Sequence, residues 1–427
     1  MPDAGFCAID FGTSNSAIAV PGEAKMRLVE LEPGFHTMPT AVFYAADGPL
    51  HGAPACEFGR AATSAYVDGI DGRLMRSMKS ILGSTLVEQS TDIGGGRAVR
   101  FIDVVATYLA HLKRRAETLT GAPIGRAVIG RPVFFVDDDP VRDAQAEAAL
   151  RGAARRAGFR EVEFQYEPIA AAFDYEQGTT REEKVLVADI GGGTSDFSLV
   201  RVGPGRAGAV DRKRDILANH GVHVAGTDFD RRIELASILP LLGFGAVGPV
   251  REVPSAVYFD LATWHLINTV YSPQRVAELR AMRSFYADLA QHRRLMTVVD
   301  ERLGHELVAR AESAKIEVAA GGSTRIDLDS VEAGLEASLG ADEAARSLDA
   351  DLERIVAAAS TTLKQAGLRA GDVDALYFTG GSTGLASLAE RLERAFPAAR
   401  AVRGDRFASV VTGLALHAER RFATPRR

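Results

Sequence analysis

The sequence predicts an α/β chain built on a duplicated domain, and three observations carry that expectation. Residues 185–202, VLVADIGGGTSDFSLVRV, read as a strand, a tight glycine turn and a second strand, with Val185–Ala188 as the short apolar run of a buried strand. Residues 5–20, GFCAIDFGTSNSAIAV, repeat the plan: apolar strand, Asp, glycine, Thr-Ser, polar residue, apolar strand. The separation of about 180 residues is too long for a solenoid repeat and points to two copies of a domain. Gly191, Gly192 and Gly193 make a turn without Cβ atoms, so backbone N–H groups can lie directly against a ligand, and such a row of amides is an anion site. Asp189 and Asp196 flank the Gly191-Gly192-Gly193 turn. Carboxylates beside a phosphate cradle make sense if a divalent cation sits between them. Two such hairpins facing one another across a cleft can clamp a polyphosphate and its metal from both sides.

Taken in order, Asp10 ends the first strand, Gly12-Thr13-Ser14-Asn15 make the turn and Ala17–Val20 lead out. Residues 37–100 read as irregular, with small residues, several glycines and the segment Arg76-Ser77-Met78-Lys79-Ser80-Ile81-Leu82-Gly83. Phe101, Val104, Val105, Tyr108 and Leu112 recur on one face of a helix that Gly121 and Pro123 end. Ala127–Val136 is strand-like and interrupted by Pro132. Asp137-Asp138-Asp139-Pro140 invites a metal reading, but three successive carboxylates cannot all point at one ion. Asp139 as N-cap and Pro140 in the first turn of the Ala-rich helix explain it better. That helix closes at Gly158, and Tyr166-Glu167-Pro168-Ile169-Ala170-Ala171-Ala172 begins the next. Residues 177–184 are polar and read as the crossing between lobes.

After the second hairpin, His220 and His223 have zinc-like spacing but no third ligand nearby, so a strand end is the better reading. Residues 240–310 read as mostly helical, with Trp264 and an amphipathic stretch near Leu279–Val299. Glu312 and Lys315 lie one turn apart on a helix ending before Gly321-Gly322. Val373–Phe378 reads as a buried strand, Gly380-Gly381-Ser382-Thr383-Gly384 as a turn, Leu385–Phe396 as a helix and Ala408–Phe422 as the last helix.

Composition narrows the function classes. A chain of 427 residues with 46% hydrophobic and 25% charged content is that of a soluble globular protein of two or three domains. A net charge of −6 gives no reason to expect nucleic-acid binding. Only 7 of the 50 basic residues are lysines, so arginine clusters carry little meaning and each lysine carries more. Cys7 and Cys56 form no CxxC and no disulfide framework, which fits a reducing compartment; Cys7 reads as a small core residue. The N-terminus has no basic, then apolar, leader pattern. The longest uncharged run, Ala236–Val250, is too short for a bilayer and is broken by Pro240 and three glycines. A cytoplasmic location without membrane contact is expected.

The last glycine turn admits a second chemistry. Gly380–Gly384 satisfies G-x-S-x-G between a strand and a helix, and Asp405 and His417 follow Ser382 in hydrolase order. His417, however, lies inside an amphipathic helix, and no His-Gly-Gly segment supplies an oxyanion hole. A third backbone-amide turn at a helix N-terminus, where the dipole favours an anion, accounts for the same residues.

With these motifs together, the chain resembles the actin-like ATPase superfamily and, within it, the DnaK-type heat-shock chaperones (the heat shock protein 70 family), in particular their YegD-like branch. The resemblance rests on Ile9–Ser16, Tyr166–Ala172, Asp189–Ser198, Gly226–Asp230, Ala311–Lys315 and Gly380–Thr383, in the family's order and nearly end to end. It implies the actin-like (ribonuclease H-like) duplicated fold: two lobes, each a mixed sheet flanked by helices, with ATP or ADP and Mg²⁺ in the cleft. Lobe I takes residues 1–180, with 400–427 returning to it and 37–100 peripheral. Lobe II takes 181–399, with 227–320 peripheral. By the same resemblance Asp10 and Asp189 hold hydrated Mg²⁺, while Thr13 and Thr194 meet the β- and γ-phosphates among Gly12, Ser14, Asn15, Gly191, Gly192 and Gly193. Lys79 positions the attacking water, and Glu167 and Asp196, with Thr194, complete the catalytic set. Gly226, Thr227, Glu312, Lys315, Gly380, Gly381, Ser382 and Asp405 complete the nucleotide site. Such positioning and charge compensation are most of what phosphoryl transfer asks of a protein.

The chain also departs from that pattern. The family's adenine-sandwiching arginines are replaced by Ile316 and Gly384, which removes their stacking and bears on nucleotide affinity and base preference. Thr227 stands where Glu is usual. Glu163, Tyr166 and Ile169 replace the Arg, Asn and Thr that serve J-protein and linker coupling. The chain stops after its last helix, so no peptide-binding domain is expected. The expected function is an ATP-binding, slowly ATP-hydrolysing chaperone-like protein whose lobes close on nucleotide, with unknown clients. A sugar-kinase-like enzyme and a non-enzymatic actin-like filament protein are the alternatives.

Overall fold

Two sheets of the computed structural model share one strand order. It describes residues 5–23, 25–47, 55–84, 86–136, 139–209, 211–249, 251–405 and 408–423. The first sheet runs Glu161–Tyr166, Ile124–Arg131, Gly5–Phe11, Asn15–Pro21 and Met26–Leu28, with Thr37–Pro39 also paired to Asn15–Pro21. The second runs Arg400–Arg403, Ala375–Thr379, Glu183–Ile190, Ser195–Val202 and Ile216–Val222. In each, the strand entering the glycine turn pairs antiparallel with the strand leaving it and parallel with a later one. The repeat read from the two hairpins is therefore a repeat of whole sheets. The outcome is the actin-like, two-lobed α/β architecture.

Alternation along the hairpin strands sets the layers. Cys7, Ile9, Phe11, Ile18 and Val20 point to an outer core under the helices Phe101–Thr120 and Pro140–Arg156. Leu186, Ala188, Ile190, Phe197 and Leu199 do the same under Ala341–Gln365 and Ala386–Ala395. The opposite faces of both sheets, through Ala8, Ala17, Val187 and Val200, share one cluster with Glu167–Gln177 and Ser409–Phe422. Those two helices form the middle layer. They approach so closely that a Cβ at Gly413 would fall onto the Ala170 carbonyl.

Several boundaries differ from expectation. Residues 37–100 are not irregular: Cys56–Phe58, Ala41–Ala45 and Gly72–Arg76 form a small sheet beside the helix Gly59–Val67, followed by the hairpin Ser90–Gly94/Arg97–Arg100. The strand expected over Ala127–Val136 spans Ile124–Arg131 and ends at Pro132, which has no N–H for a ladder. The amphipathic stretch Leu279–Val299 is split between Pro273–Ala281 and Leu289–Asp300, because the Asp288 carboxylate caps the second helix at Ala290 N, 2.8 Å. The peripheral core after the second hairpin reaches from Ile233 to Ala344 and takes in the hairpin Ser323–Asp327/Glu336–Gly340. Asp139 does cap Pro140–Arg156, accepting from Arg142 N at 3.0 Å. Asp137 and Asp138 lie outside the described residues. His220 sits on Ile216–Val222 opposite Phe197.

Candidate functional site

The two glycine turns meet tip to tip. Pairing of Phe11 with Ser16 leaves Gly12–Asn15 as the first turn, and pairing of Ile190 with Ser195 leaves Gly191–Thr194 as the second. A Cβ at Gly192 would stand 2.7 Å from Ser14 Oγ, so the turns touch across the cleft. Each is braced from behind. Thr40 donates from Oγ1 to Gly12 O (2.8 Å) and from N to Ser14 O (2.9 Å). Ser382 Oγ donates to Gly191 O (2.7 Å), while Thr227 donates to Gly192 O from both N (2.8 Å) and Oγ1 (2.9 Å). With their carbonyls held this way, the N–H groups of Thr13, Ser14, Gly192 and Gly193 find no acceptor among the described residues. Two pairs of unpaired amides that face one cleft are a nest for anionic oxygens.

Carboxylates gather at the base of the cleft, where protein surrounds them on every side but the opening. Burial, then the Glu167 charge, pushes the Asp10 carboxyl up to about 8, with Lys79 opposing. Burial, then Asp196 and Glu167, pushes Asp189 up to about 7. Lys79 Nζ lies 2.5 Å from Glu167 Oε1. Burial disfavours its charge, but Glu167, Asp10 and Asp189 outweigh that and hold its pKa above the ordinary value. Asp196, directly across the hairpin from Asp189, accepts from Thr194 Oγ1 at 2.8 Å.

The cleft is about 1320 Å³ and is lined by every expected site residue except Asp405. Asp405 lies just ahead of the last helix, its carboxylate accepting from Ala408 N at 3.1 Å. Lys315 lines the cleft, but its ammonium is engaged by Asp230 (2.6 Å) and donates to Gly226 O (3.5 Å). Glu312 lies on the same helix, Gly304–Glu317, beside Ile316, which is 63% exposed. The hydrolase set does not assemble. Ser382 Oγ is spent on Gly191, and His417 is buried with Nδ1 3.1 Å from Gln165 Nε2.

The departures have structural partners. Thr227 holds the second turn, as above. Glu163 pairs with Arg421 (2.6 Å), Tyr166 lies under the Arg131 guanidinium and Ile169 is in the middle-layer core. Sequence reading missed Thr40, whose partners Gly12 and Ser14 lie far back in the chain and which no local pattern marks. Among the described residues no helix is long and apolar enough to cross a membrane.

Comparison with known proteins matches residues 6–236 to the family described as Hsp70 protein. The chain is 30% identical over 325 residues to a Chaperone protein HscA homolog of Laribacter hongkongensis, covering 69% of this chain and 47% of that one. It is 28% identical over 344 residues to a Chaperone protein DnaK of Thermosipho melanesiensis, covering 75% and 53%. The chain thus spans about half the length of these relatives.

Proposed function

The chain belongs to the Hsp70 family, and from that premise we propose that it binds ATP with Mg²⁺ between the two glycine turns and hydrolyses it slowly, its lobes closing on the nucleotide. The observation that carries this reading is the meeting of two unpaired amide turns above a cluster of carboxylates in which burial and mutual repulsion raise the pKa of Asp10 and Asp189. Asp10, Glu167 and Asp189 act on one ammonium, Lys79, and Asp196 adds its charge at Asp189. Asp10 and Asp189 stay partly protonated in the absence of further positive charge. A divalent cation fits that deficit, since Mg²⁺ takes one or two carboxylates and fills its shell with waters and phosphate oxygens. Once bound, such an ion would neutralise charge on the terminal phosphates.

The remaining roles fall to the chain's own groups. Thr13, Ser14, Gly192, Gly193 and Thr194 present amides and hydroxyls to the β- and γ-phosphates. Glu167 keeps Oε1 on Lys79, leaving Oε2 to orient a water and accept its proton. Lys79 offsets charge on the γ-phosphate, and Asp196, oriented by Thr194, is a second acceptor. Glu312 faces the nucleoside. Lys315 supports that wall through Asp230, and Ser382 supports the turn. Lobe I is assigned residues 1–180 with the C-terminal helix, and lobe II residues 181–399. Membership in the YegD-like branch, a cytoplasmic location and a chaperone-like role with unidentified clients are parts of the same proposal.

Calorimetric titration with ATP, with and without Mg²⁺, tests it. Mg²⁺-dependent binding is expected, and Asp10→Asn with Asp189→Asn should abolish phosphate release. Absence of Mg²⁺-dependent nucleotide binding sinks the reading. Phosphate delivered to a sugar faster than to water would replace it with a kinase.

A further inference from the structure

We propose that Thr40 is a positioning residue for phosphate binding: without touching the ligand, it fixes the direction in which the first glycine turn presents its amides. This rests on the nucleotide reading above. Thr40 is 2% exposed and does not line the cleft. It stands between strands of two different sheets. Pro39, before it, pairs with Asn15 in the first sheet, and Ala41, after it, pairs with Arg76 in the small peripheral sheet. Its backbone is therefore held on both sides, and its β-branched side chain has few rotamers to choose from. The hydroxyl is a fixed point behind the turn.

From that point Thr40 grips the turn at both ends. Oγ1 donates to Gly12 O (2.8 Å) and the backbone N donates to Ser14 O (2.9 Å). No peptide bond among the described residues is cis. In a planar trans peptide the N–H points opposite to the C=O. A Gly12 oxygen drawn back to Thr40 therefore turns the Thr13 N–H forward, toward the cleft that Thr13 lines. The Ser14–Asn15 peptide is fixed in the same way, and the Thr13–Ser14 peptide between them keeps little freedom. The hydroxyl itself is oriented. A carbonyl oxygen only accepts, so the one proton of Thr40 Oγ1 goes to Gly12 O. The contact with the buried Ser16 Oγ, 2.8 Å away, is then a bond that Ser16 donates. Ser16, Thr40 and Gly12 O form a chain in which each bond polarises the next. Amides arranged before the anion arrives need no reorganisation when it binds, which lowers the cost of binding. The second turn is braced differently. Thr227 and Ser382 line the cleft themselves, so of the three side-chain braces Thr40 alone acts purely through the backbone.

The experiment is calorimetric titration of ADP with Mg²⁺ into the wild type, Thr40→Val, Thr40→Ser and Thr362→Val. The urea midpoint of each unliganded protein is measured in parallel, so that lost stability and lost affinity are read separately. Valine keeps the shape of threonine without its hydroxyl, and serine keeps the hydroxyl. Thr362 is the matched control. It too is buried and bonds a carbonyl, Ala358 O at 3.0 Å, but within the helix Ala341–Gln365 and away from the cleft. The expected result is a Kd raised about tenfold in Thr40→Val, restored to within about threefold by Thr40→Ser and unchanged in Thr362→Val; tenfold corresponds to about 1.4 kcal/mol. If Thr40→Val does not fold, Thr40→Ala takes its place. A Kd within about twofold of the wild type without the hydroxyl, an equal loss in Thr40→Ser, or an equal loss in Thr362→Val overturns the positioning role and leaves nucleotide binding standing. A wild type that binds no ADP overturns both.

Discussion

Glu234 is a buried acid outside the cleft. It is fully buried at the start of a π-helical turn, Glu234–Ile238, and neither carboxylate oxygen has a hydrogen-bond partner among the described residues. Burial, and then the Asp230 charge, raises its pKa well above the ordinary value. The folded chain therefore keeps a proton on Glu234 at pH values where the unfolded chain has lost it. Stability from this group is fully present below the ordinary carboxylate range and declines as pH rises above it, by up to about 1.4 kcal/mol per pH unit. Glu234→Gln keeps the shape and removes the titration. In urea unfolding the variant should gain on the wild type at pH 8, and the gap should narrow by pH 4. A gap independent of pH would mean that Glu234 is not a buried acid. Lys79 teaches a related lesson. Its neighbours in the sequence do not mark it, and its structural partner, Glu167, lies 88 residues away.

At the scale of elements, what could be read locally was read well. The hairpin strands declare themselves by apolar runs ending at Asp and Gly, and Phe101–Thr120 by its apolar stripe and the left-handed Gly121 that ends it. Three- to five-residue strands such as those of residues 37–100 are too short to show a period. Arg400–Arg403 carries two arginines at a sheet edge, so it has no apolar signature. Asp405, which the family resemblance assigns to the nucleotide site, accepts from Ala408 N just ahead of the last helix, a contact that residue type alone does not announce. Gly413 shows how packing overrides propensity. Alanine is favoured over glycine inside a helix by about 1 kcal/mol, yet a Cβ there collides with the backbone carbonyl of Ala170, which cannot rotate away. Forcing the middle-layer helices apart costs about 1–3 kcal/mol or more. Gly413→Ala should therefore lower the urea midpoint. Because the displaced helix begins at Glu167, it should also slow phosphate release; an unchanged or raised midpoint would show that the helices have slack.

For the whole molecule, the sequence announced the duplication and the two glycine turns, but not the long-range contacts that brace the turns and join the halves. Thr40 to Gly12 braces one turn within the first half, Ser382 to Gly191 braces the other within the second, and Tyr66 to Trp264 joins the halves; these pairs lie 28, 191 and 198 positions apart, which one sequence cannot reveal. These joints predict how ligand and stability are linked. The phosphate turns belong to different sheets, so a polyphosphate held by both is bound only when the halves are together and folded. Ligand at 100 times its Kd then adds about 2.7 kcal/mol to unfolding. In differential scanning calorimetry, ATP or ADP with Mg²⁺ should raise the melting temperature by a few degrees and draw the melting of the two halves toward one transition. Chelation of Mg²⁺ should remove most of the shift, because the carboxylate pair is then left without its counter-charge, and Asp10→Asn should do the same by removing one of the two carboxylates proposed to hold the ion. Equal shifts with and without Mg²⁺ would place the ligand on the amide turns alone and take the metal away from Asp10 and Asp189.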